Sequence, residues 1–297
     1  MQRALVLALF LIPTAYAGDK QLELTLRSRV AEPTTTGVNY AKVERKQSWD
    51  PKTTVVIVVD MWDTHHCLNA VRRVEEMAPR MNEVLEKCRA LGMTIIHAPS
   101  NCMEAYKDHP GRKRAKDAPL AKNLPKDIDK WCHIIPSEEK GKYPIHQKDG
   151  GCDSDPVEQA KHREELIKMG RNPNAPWKSQ YHVLKMHDID LVSDSGVEIW
   201  NVLEDRKINN VIILGVHTNM CVLGRPFGLR QMAKNGRNVV LMRDMTDTMY
   251  NPKQWPYVNH YKGTELIVEH IEKFVAPTIT SDQIIGGKAF RFKADAN

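Results

Sequence analysis

The chain of 297 residues lacks several features that would define its class. No segment stays apolar over the roughly 20 residues that a membrane-spanning helix needs. The six cysteines form no paired C-x-x-C pattern of the kind that holds structural zinc. No internal repeat is present. With 41% hydrophobic and 27% charged residues, the composition is typical of a globular protein and excludes a fibre or a disordered chain.

The charge pattern also excludes a class of partner. The formal net charge is +6, and the densest basic stretch is the short sequence RKRAK at residues 112–116. A nucleic-acid-binding surface generally needs a broader basic stripe together with a recognisable motif. We therefore interpret this stretch as a solvated loop and expect no nucleic-acid partner.

The first 17 residues have the pattern of a secretory signal peptide. Arg3 supplies the positive start, residues 4–12 form a short apolar run, and Ala15-Tyr16-Ala17 is a small-x-small cleavage site. Cleavage after Ala17 would remove the only apolar run of this kind and leave a protein with no membrane contact. We predict a secreted or periplasmic location.

The mature chain is predicted to begin with a polar N-terminal arm over residues 18–50. A βαβ unit follows. Residues 53–60 (TTVVIVVD) have the unbroken apolar pattern of a strand buried on both faces. Apolar residues at helical spacing then lead to a stop at Gly92, and residues 93–98 form a second apolar strand. This order predicts a parallel sheet.

Residues 99–180 interrupt the pattern, because they hold nine of the 17 prolines and only 155–169 has helical spacing. We interpret them as a large insertion, either a lid or a disordered segment. Strands are predicted again at 182–186, 210–216 and 238–244, and helices at 195–206, after Cys221 and at 264–275. The whole predicts one α/β domain over residues 51–297, a doubly wound parallel sheet with helices on both faces.

Three reactive side chains are expected to meet at one edge of this sheet. Ligands of doubly wound sheets bind beyond the carboxyl ends of the strands, where the strand order reverses. Asp60 closes the first strand, Lys185 lies on the third predicted strand, and Cys221 follows the fourth. An acid, a lysine and a cysteine would therefore converge.

Two segments resemble the isochorismatase-like cysteine hydrolases, a group that includes the nicotinamidases. VVIVVDMWD, which contains Asp60, resembles their first strand, and GVHTNMCV, which contains Cys221, resembles their nucleophile turn. The resemblance covers roughly residues 53–97 and 181–275. It implies a triad of Asp60, Lys185 and Cys221, a cis peptide bond at Val216–His217, and an oxyanion hole formed by the backbone N–H groups of His217 and Cys221. It also implies hydrolysis of a small amide or related C–N bond through a thioester.

This assignment agrees with thiol chemistry. A thiolate is the reactive nucleophile, and a helix N-terminus at Cys221 with a nearby Lys185 cation would favour it. Asp60 could take the thiol proton and pass it to the leaving group. Pro226 departs from the family's plain helix after the cysteine and would delay that helix. Lys178, just before the predicted strand, is the alternative to Lys185 as the lysine of the triad.

The substrate is expected to be a small polar or anionic molecule, because polar, aromatic and cationic side chains surround the predicted nucleophile. The candidate substrate-binding residues are Trp62, His65, His217 and Arg225.

We predict no cofactor, although two groups of side chains could hold a divalent metal such as zinc. One comprises His97, Cys102, Asp108 and His109, and the other comprises His65, His66 and Cys67. A hydrogen-bonded polar pocket is the preferred interpretation of both. Cys88 is interpreted as a core residue, and Cys132 and Cys152 could form a disulfide.

Two other functions stay open. The fold could serve a catalytically silent protein that binds a small ligand, in which case Cys221 would titrate like an ordinary thiol. It could also cleave a vinyl ether by acid catalysis, as an isochorismatase does, and Asp60 would then matter more than Cys221. An apolar helix face could support a homo-oligomer.

Overall fold

The computed structural model describes residues 21–35 and 37–295, so the predicted signal peptide at 1–17 lies outside the described residues. An eight-stranded sheet forms its centre, with the strand order β2-β1-β8-β7-β6-β3-β4-β5. The strands are β1 (Leu22–Thr34), β2 (Gly37–Trp49), β3 (Thr54–Val59), β4 (Thr94–Ala98), β5 (Leu191–Val192), β6 (Asn210–Val216), β7 (Asn238–Asp247) and β8 (Thr278–Ile279).

The α-helices are α1 (Leu68–Ala90), α2 (Pro110–Lys116), α3 (Pro156–Lys168), α4 (Gly196–Asp205), α5 (Leu229–Lys234), α6 (His260–Phe274) and α7 (Asp282–Ile285). Within the described ranges, no helix is both long enough and apolar enough to span a membrane.

The strands from β8 to β5 are parallel, which confirms the doubly wound sheet. The order reverses at β3, which lies between β6 and β4. All six residues of β3 are buried, because α1 and α7 pack on one face of the sheet while α4, α5 and α6 pack on the other. Asp60 and the segment after Val216 therefore leave the sheet side by side.

The strand predicted over residues 182–186 is wrong. The chain turns there, with the N–H of Leu184 donating to the carbonyl of Tyr181. Side chains of α1 satisfy the backbone polar groups that a strand would have paired. Asn82 accepts from the N–H of Lys185, and Arg89 donates to its carbonyl. The short β5 takes the sheet edge instead.

The expected N-terminal arm is a β-hairpin of two 13-residue strands. Leu22, Leu24 and Leu26 are buried on one face of β1, and Arg27 pairs with Thr278 of β8. The hairpin thus extends the sheet at its edge. The alternation that predicts a strand covers only these three leucines, and apart from the buried Trp49 the rest of the hairpin is polar or at least partly exposed.

The insertion at 99–180 is an ordered covering of the sheet edge that contains α2 and the predicted helix α3. A disulfide joins Cys67 to Cys152, so the suggested Cys132–Cys152 pair is wrong, and Cys132 is free. Two side chains of the insertion accept from backbone N–H groups at the start of α1, namely Gln159 from Leu68 and Ser154 from Asn69. These caps bring Cys152 to Cys67.

Candidate active site

Asp60 occupies the point where β3 leaves the sheet. Its φ of 47° lies in the left-handed region, which a residue with a side chain adopts only when its surroundings hold it there. Its own N–H donates to the carbonyl of Ala98, and its carboxylate accepts from the N–H of Ser100 at 2.7 Å. The side chain is fully buried and fixed in direction.

Cys221 lies in the π-helical turn Thr218–Val222 that follows β6. β6 approaches β3 so closely that a side chain at Gly215, where φ is 110°, would collide with the carbonyl of Val59. The Val216–His217 peptide bond is cis, as the resemblance implies. Cys221 is 8% exposed. Its thiol is within hydrogen-bonding reach of the Asp60 carboxyl group.

Arg225 completes the group. Its Nε donates to Asp60 Oδ2 at 3.1 Å, and its guanidinium also lies within reach of the Cys221 sulfur. The N–H of Arg225 donates to the carbonyl of Cys221, which is the i to i+4 contact of a helical turn. The guanidinium lies 5.3 Å from the centre of the Trp131 ring. The acid, the thiol and one cation therefore touch each other.

Burial dominates the electrostatics of this group. It raises the pKa of Asp60, and the Arg225 charge only partly opposes the rise. Burial and the neighbouring Asp60 charge raise the pKa of Cys221 well above that of an ordinary thiol, again against the influence of Arg225. The Cys221 thiol is therefore protonated in the resting site, and a base must remove its proton before the sulfur can attack.

The helix expected directly after Cys221 does not form. The chain bends through residues 225–228, and α5 begins only at Leu229, which confirms the effect expected of Pro226. The insertion fills this bend. A side chain at Gly224 would collide with the Trp131 ring, and the N–H of Cys132 donates to the carbonyl of Gly224. The contribution of a helix N-terminus to the thiolate is correspondingly small.

Lys185 does not reach the site, contrary to the prediction. Its side chain is exposed, and its backbone is fastened to α1 as described above. The substitute Lys178 is also exposed, and its N–H donates to Asp63. Arg225, predicted only as a substrate-binding residue, is the cation in contact with Asp60 and Cys221. Its position four residues after Cys221 is the sequence signal that indicates this contact.

The backbone N–H and the imidazole of His217 have different environments in the site. Its backbone N–H lies toward the Cys221 sulfur and favours the thiolate. Its imidazole is 2% exposed, and burial lowers the pKa of His217 to about 3, so the ring is neutral. Its Nε2 atom is buried without a hydrogen-bond partner in the described part of the chain.

A cavity of about 510 Å³ opens over the thiol. All four predicted substrate-binding residues line it. Its walls comprise Trp62, His65, His66, Trp131, His133, Ile134, Glu138, Gly141, Tyr143, Gln147, Trp177, His217, Asn219, Met220, Cys221, Arg225, Arg230 and His270. The walls supplied by the insertion and by α6 were not predicted from the sequence, because no local motif marks them.

Stacked aromatic rings form one wall. Trp62 and Trp177 lie 4.3 Å apart between ring centroids with an interplanar angle of 13°. His65 stacks against Trp62 at 5.9 Å. Trp62 Nε1 donates to the carbonyl of Ser100, the residue whose N–H holds Asp60. The wall and Asp60 thus share one anchoring residue.

A buried ionic group forms another wall. Arg230 donates twice to Glu138, at 2.7 and 2.8 Å, and His270 Nε2 donates to Glu138 at 2.9 Å. Burial alone would raise the pKa of Glu138, but these hydrogen bonds and charges lower it to about 2. The three residues come from the insertion, α5 and α6, so they also fasten the insertion to the core.

Three of the side chains suggested as metal ligands have other partners. Cys67 is in the disulfide, His97 contacts Gln180 and Asp190, and His109 caps the start of α2. Over residues 21–35 and 37–295, no group of three or more His, Cys, Asp and Glu side chains is placed to hold a metal ion.

The fold and the contacts of Asp60, Cys221 and Arg225 describe an α/β enzyme with a buried cysteine at a sheet edge. Residues 54–257 match the sequence profile of the Isochorismatase domain, which is more than half of the chain. The protein therefore belongs to the isochorismatase family and is a hydrolase. This finding confirms the resemblance inferred from the two sequence segments.

Solved structures of the family are similar over most of their length, at low identity. A cysteine hydrolase from Pseudomonas syringae pv. phaseolicola 1448A is 17% identical, with coverage of 79% of this chain and 92% of that chain and a TM-score of 0.46. An isochorismatase from Pseudomonas putida KT2440 is 10% identical, with coverage of 79% and 91% and a TM-score of 0.46. No curated protein sequence matches this chain.

Proposed function

We propose that this protein hydrolyses a small amide, or a related C–N bond, through a thioester on Cys221. The observation that carries the proposal is the contact of the buried Cys221 thiol with both Asp60 and Arg225 on the floor of the cavity. The core cysteine Cys88 on α1 differs, because only the Arg89 charge acts on it and no carboxylate does.

In the proposed acylation step, Asp60 takes the proton of Cys221 while the sulfur attacks the substrate carbonyl carbon. The C–N bond then breaks, and Asp60 returns the proton to the leaving nitrogen. A carboxyl group with a raised pKa suits this second transfer, because it holds its proton closer to neutral pH than an exposed aspartate does. Arg225 stabilises the negative charge that develops on the sulfur as its proton leaves and before the C–S bond is complete.

In the proposed deacylation step, water attacks the thioester and Asp60 accepts its proton. The C–S bond breaks, the acid product leaves, and the sulfur recovers a proton from Asp60. The backbone N–H groups of His217 and Cys221 would hold the carbonyl oxygen in both steps. Such a donor typically contributes about 3 kcal/mol to transition-state stabilisation.

Acid cleavage of a vinyl ether is the second candidate. The raised pKa of Asp60 favours it, since a protonated carboxyl group can donate to the substrate without help from a thiol. Silent ligand binding is the third candidate, and it is favoured because the pKa of Cys221 is raised rather than lowered, which is not the titration of an activated thiol. The three differ in what they require of Cys221.

The deciding experiment mixes the protein with a panel of small carboxamides and measures intact mass after rapid quenching. We expect an acyl adduct that maps to Cys221 and is absent in Cys221→Ala. Cys88→Ala is the matched control and should keep the adduct. Turnover of a vinyl ether that survives Cys221→Ala but is lost in Asp60→Asn would instead support vinyl ether cleavage. Ligand binding without turnover would support the silent protein.

We also propose that the protein is exported to a periplasm or the exterior and acts there on a small molecule. The signal-like pattern at residues 1–17 supports this, and so does the Cys67–Cys152 disulfide, because such bonds persist mainly in oxidising compartments. N-terminal sequencing of the protein from its natural source should find Gly18 first. An intact Met1 would contradict export by this route.

A further inference from the structure

A second cavity of about 430 Å³ lies away from the catalytic one and shares no lining residue with it. It is bounded by α6, by the later part of β7, by β1 and by the C-terminal segment 289–295. The proposed hydrolysis makes no use of it. Its lining nevertheless combines a group of arginine side chains with a wall of aromatic rings.

Three arginines lie at one end of this cavity, and the carboxylates in contact with them are fewer than the arginines. Arg27 and Arg29 both donate to the buried Glu272, at 2.7 and 3.3 Å. Arg243 reaches Glu272 only through the hydroxyl of Thr278, which accepts from Arg243 and donates to Glu272. Within the described part of the chain, Arg243 forms no ion pair.

The acidic side chains that line the cavity are occupied elsewhere. Asp244 accepts from Ser281 and from the N–H of Phe290, Glu265 pairs with Lys262, Glu269 pairs with Arg29, and Asp295 pairs with Arg291. Burial and the nearby charge of Arg27 lower the pKa of Arg243. The charges of Glu272, Asp244 and Asp282 oppose this fall, but none of these carboxylates is in direct contact with the guanidinium. Arg243 is therefore a half-buried cation without a direct ion pair in the described residues.

Two further features of the cavity match an organic anion. The Thr264 hydroxyl oxygen is buried without a hydrogen-bond partner in the described residues, so a donor is available at the wall. Tyr261, Phe290 and Phe292 form a connected aromatic surface, with ring centroids 5.5 Å apart for Tyr261–Phe292 and 5.1 Å for Phe290–Phe292. The cavity thus combines an unpaired cation with an apolar wall.

We propose that this cavity binds a small organic anion, with its carboxylate on Arg243 and its apolar body against Tyr261 and Phe292. The Thr264 hydroxyl supplies a further hydrogen bond to the ligand. The site is separate from the hydrolytic centre, and it does not depend on the proposed reaction.

Thr246 links the two regions. It lines the second cavity, while its hydroxyl donates to the carbonyl of Gly215 and contacts the hydroxyl of Thr218 at the start of the nucleophile turn. Thr246 is therefore the single residue between an anion bound in the second cavity and the backbone that positions Cys221.

The test measures binding of benzoate to the full protein by calorimetry, with benzyl alcohol as the uncharged comparison. We expect Arg243→Gln to weaken benzoate binding by about tenfold or more, since a hydrogen-bonded charge is lost. Arg243→Lys should retain most of the affinity, and Thr264→Val should weaken it by about threefold. Benzyl alcohol should bind at least about tenfold more weakly than benzoate.

Two controls locate the site. Arg291→Gln removes an arginine of the same cavity that is 66% exposed and paired with Asp295, and it should leave benzoate binding unchanged. Arg225→Gln removes the cation of the catalytic cavity, and the benzoate binding that depends on Arg243 should persist in this variant. Thermal melting verifies that each variant is folded. The proposal is overturned if benzoate does not bind, if benzyl alcohol binds as tightly, or if Arg225→Gln removes the binding while Arg243→Gln does not.

Discussion

The edge of the parallel sheet and the insertion at 99–180 contribute different parts of the same cavity. The sheet edge supplies the reactive groups, with Asp60 after β3 and Cys221 and Arg225 after β6. The insertion supplies much of the wall, including Trp131, Tyr143 and Trp177. Rigid strands hold the chemistry, and irregular segments surround the ligand, which is the usual division in α/β enzymes.

The two regions are also held by different means. Backbone hydrogen bonds from Ser100 and the register of adjacent strands fix Asp60. The insertion depends on side chains and one disulfide, with the Glu138–Arg230 pair and Cys67–Cys152 as its strongest links. We therefore expect substitutions at the sheet edge to change the rate of the chemical step, and substitutions in the insertion to change substrate binding.

The largest effect is expected from Cys221→Ala. Without the sulfur no thioester can form, and kcat should fall by about 10⁴-fold or more, as it does when other enzymes lose a catalytic nucleophile. Steady-state kinetics on an amide substrate provides the measurement. Cys88→Ala should retain at least half of the activity. A Cys221→Ala enzyme with near-normal kcat would show that the sheet edge acts through Asp60 alone.

Arg225→Gln should lower kcat by about 100-fold, because it removes the charge that stabilises the thiolate. It should also move the acidic limb of the pH profile. Arg225 opposes the rise in the pKa of Asp60, so its removal raises that pKa further, and activity should be lost at a higher pH as the pH falls. The pH dependence of kcat/KM for both proteins measures the shift.

Arg225→Lys is the control for the charge. It should restore the acidic limb toward the wild-type position, while kcat recovers only in part, because a lysine cannot reproduce the planar contact with both Asp60 and Trp131. An acidic limb that does not move in Arg225→Gln would mean that Arg225 does not act on Asp60.

Trp177→Ala tests the other half of the comparison. The ring covers Trp62 from the insertion side and faces the cavity, so its loss should raise KM by about tenfold and change kcat by less than about threefold. Trp177→Phe keeps an aromatic surface and should stay close to wild type. A large fall in kcat with unchanged KM would place Trp177 with the reactive groups instead.

Much of the sheet edge could be predicted from the sequence. The unbroken apolar run before Asp60 and the glycine-containing turn before Cys221 are local patterns, and their strands became neighbours because parallel βαβ units pack in few ways. The cavity walls could not be predicted in this way. His270 and Glu138 meet across 132 positions of sequence, and no short-range spacing encodes that contact.

The cation shows where the prediction was wrong and why. Lys185 was placed at the sheet edge by an apolar pattern over 182–186, but α1 captured the backbone there and no strand formed. Arg225 lay four residues from Cys221 in the same turn, and that local spacing was the better guide. A prediction that places Lys185 near Cys221 requires a correct strand assignment for residues 182–186. A prediction that places Arg225 there requires only the turn that contains Cys221.

The smallest effect is expected from Lys185→Ala. The side chain is exposed, and Asn82 and Arg89 contact only the backbone of this residue, so the substitution keeps both anchors. We expect kcat/KM within about twofold of wild type and an unchanged acidic limb, because surface substitutions of this kind change stability by less than about 0.5 kcal/mol.

The comparison with Arg225→Gln makes this small effect informative. Both substitutions remove one positive charge, so the net charge and any long-range attraction of an anionic substrate change equally. Only Arg225 contacts Asp60 and Cys221, and a difference of about 50-fold between the two variants would therefore measure contact rather than charge. If Lys185→Ala lost as much activity as Arg225→Gln, the segment around residue 185 would have to move toward Cys221 when substrate binds, and the cation of the resting site would not be the cation of the reaction.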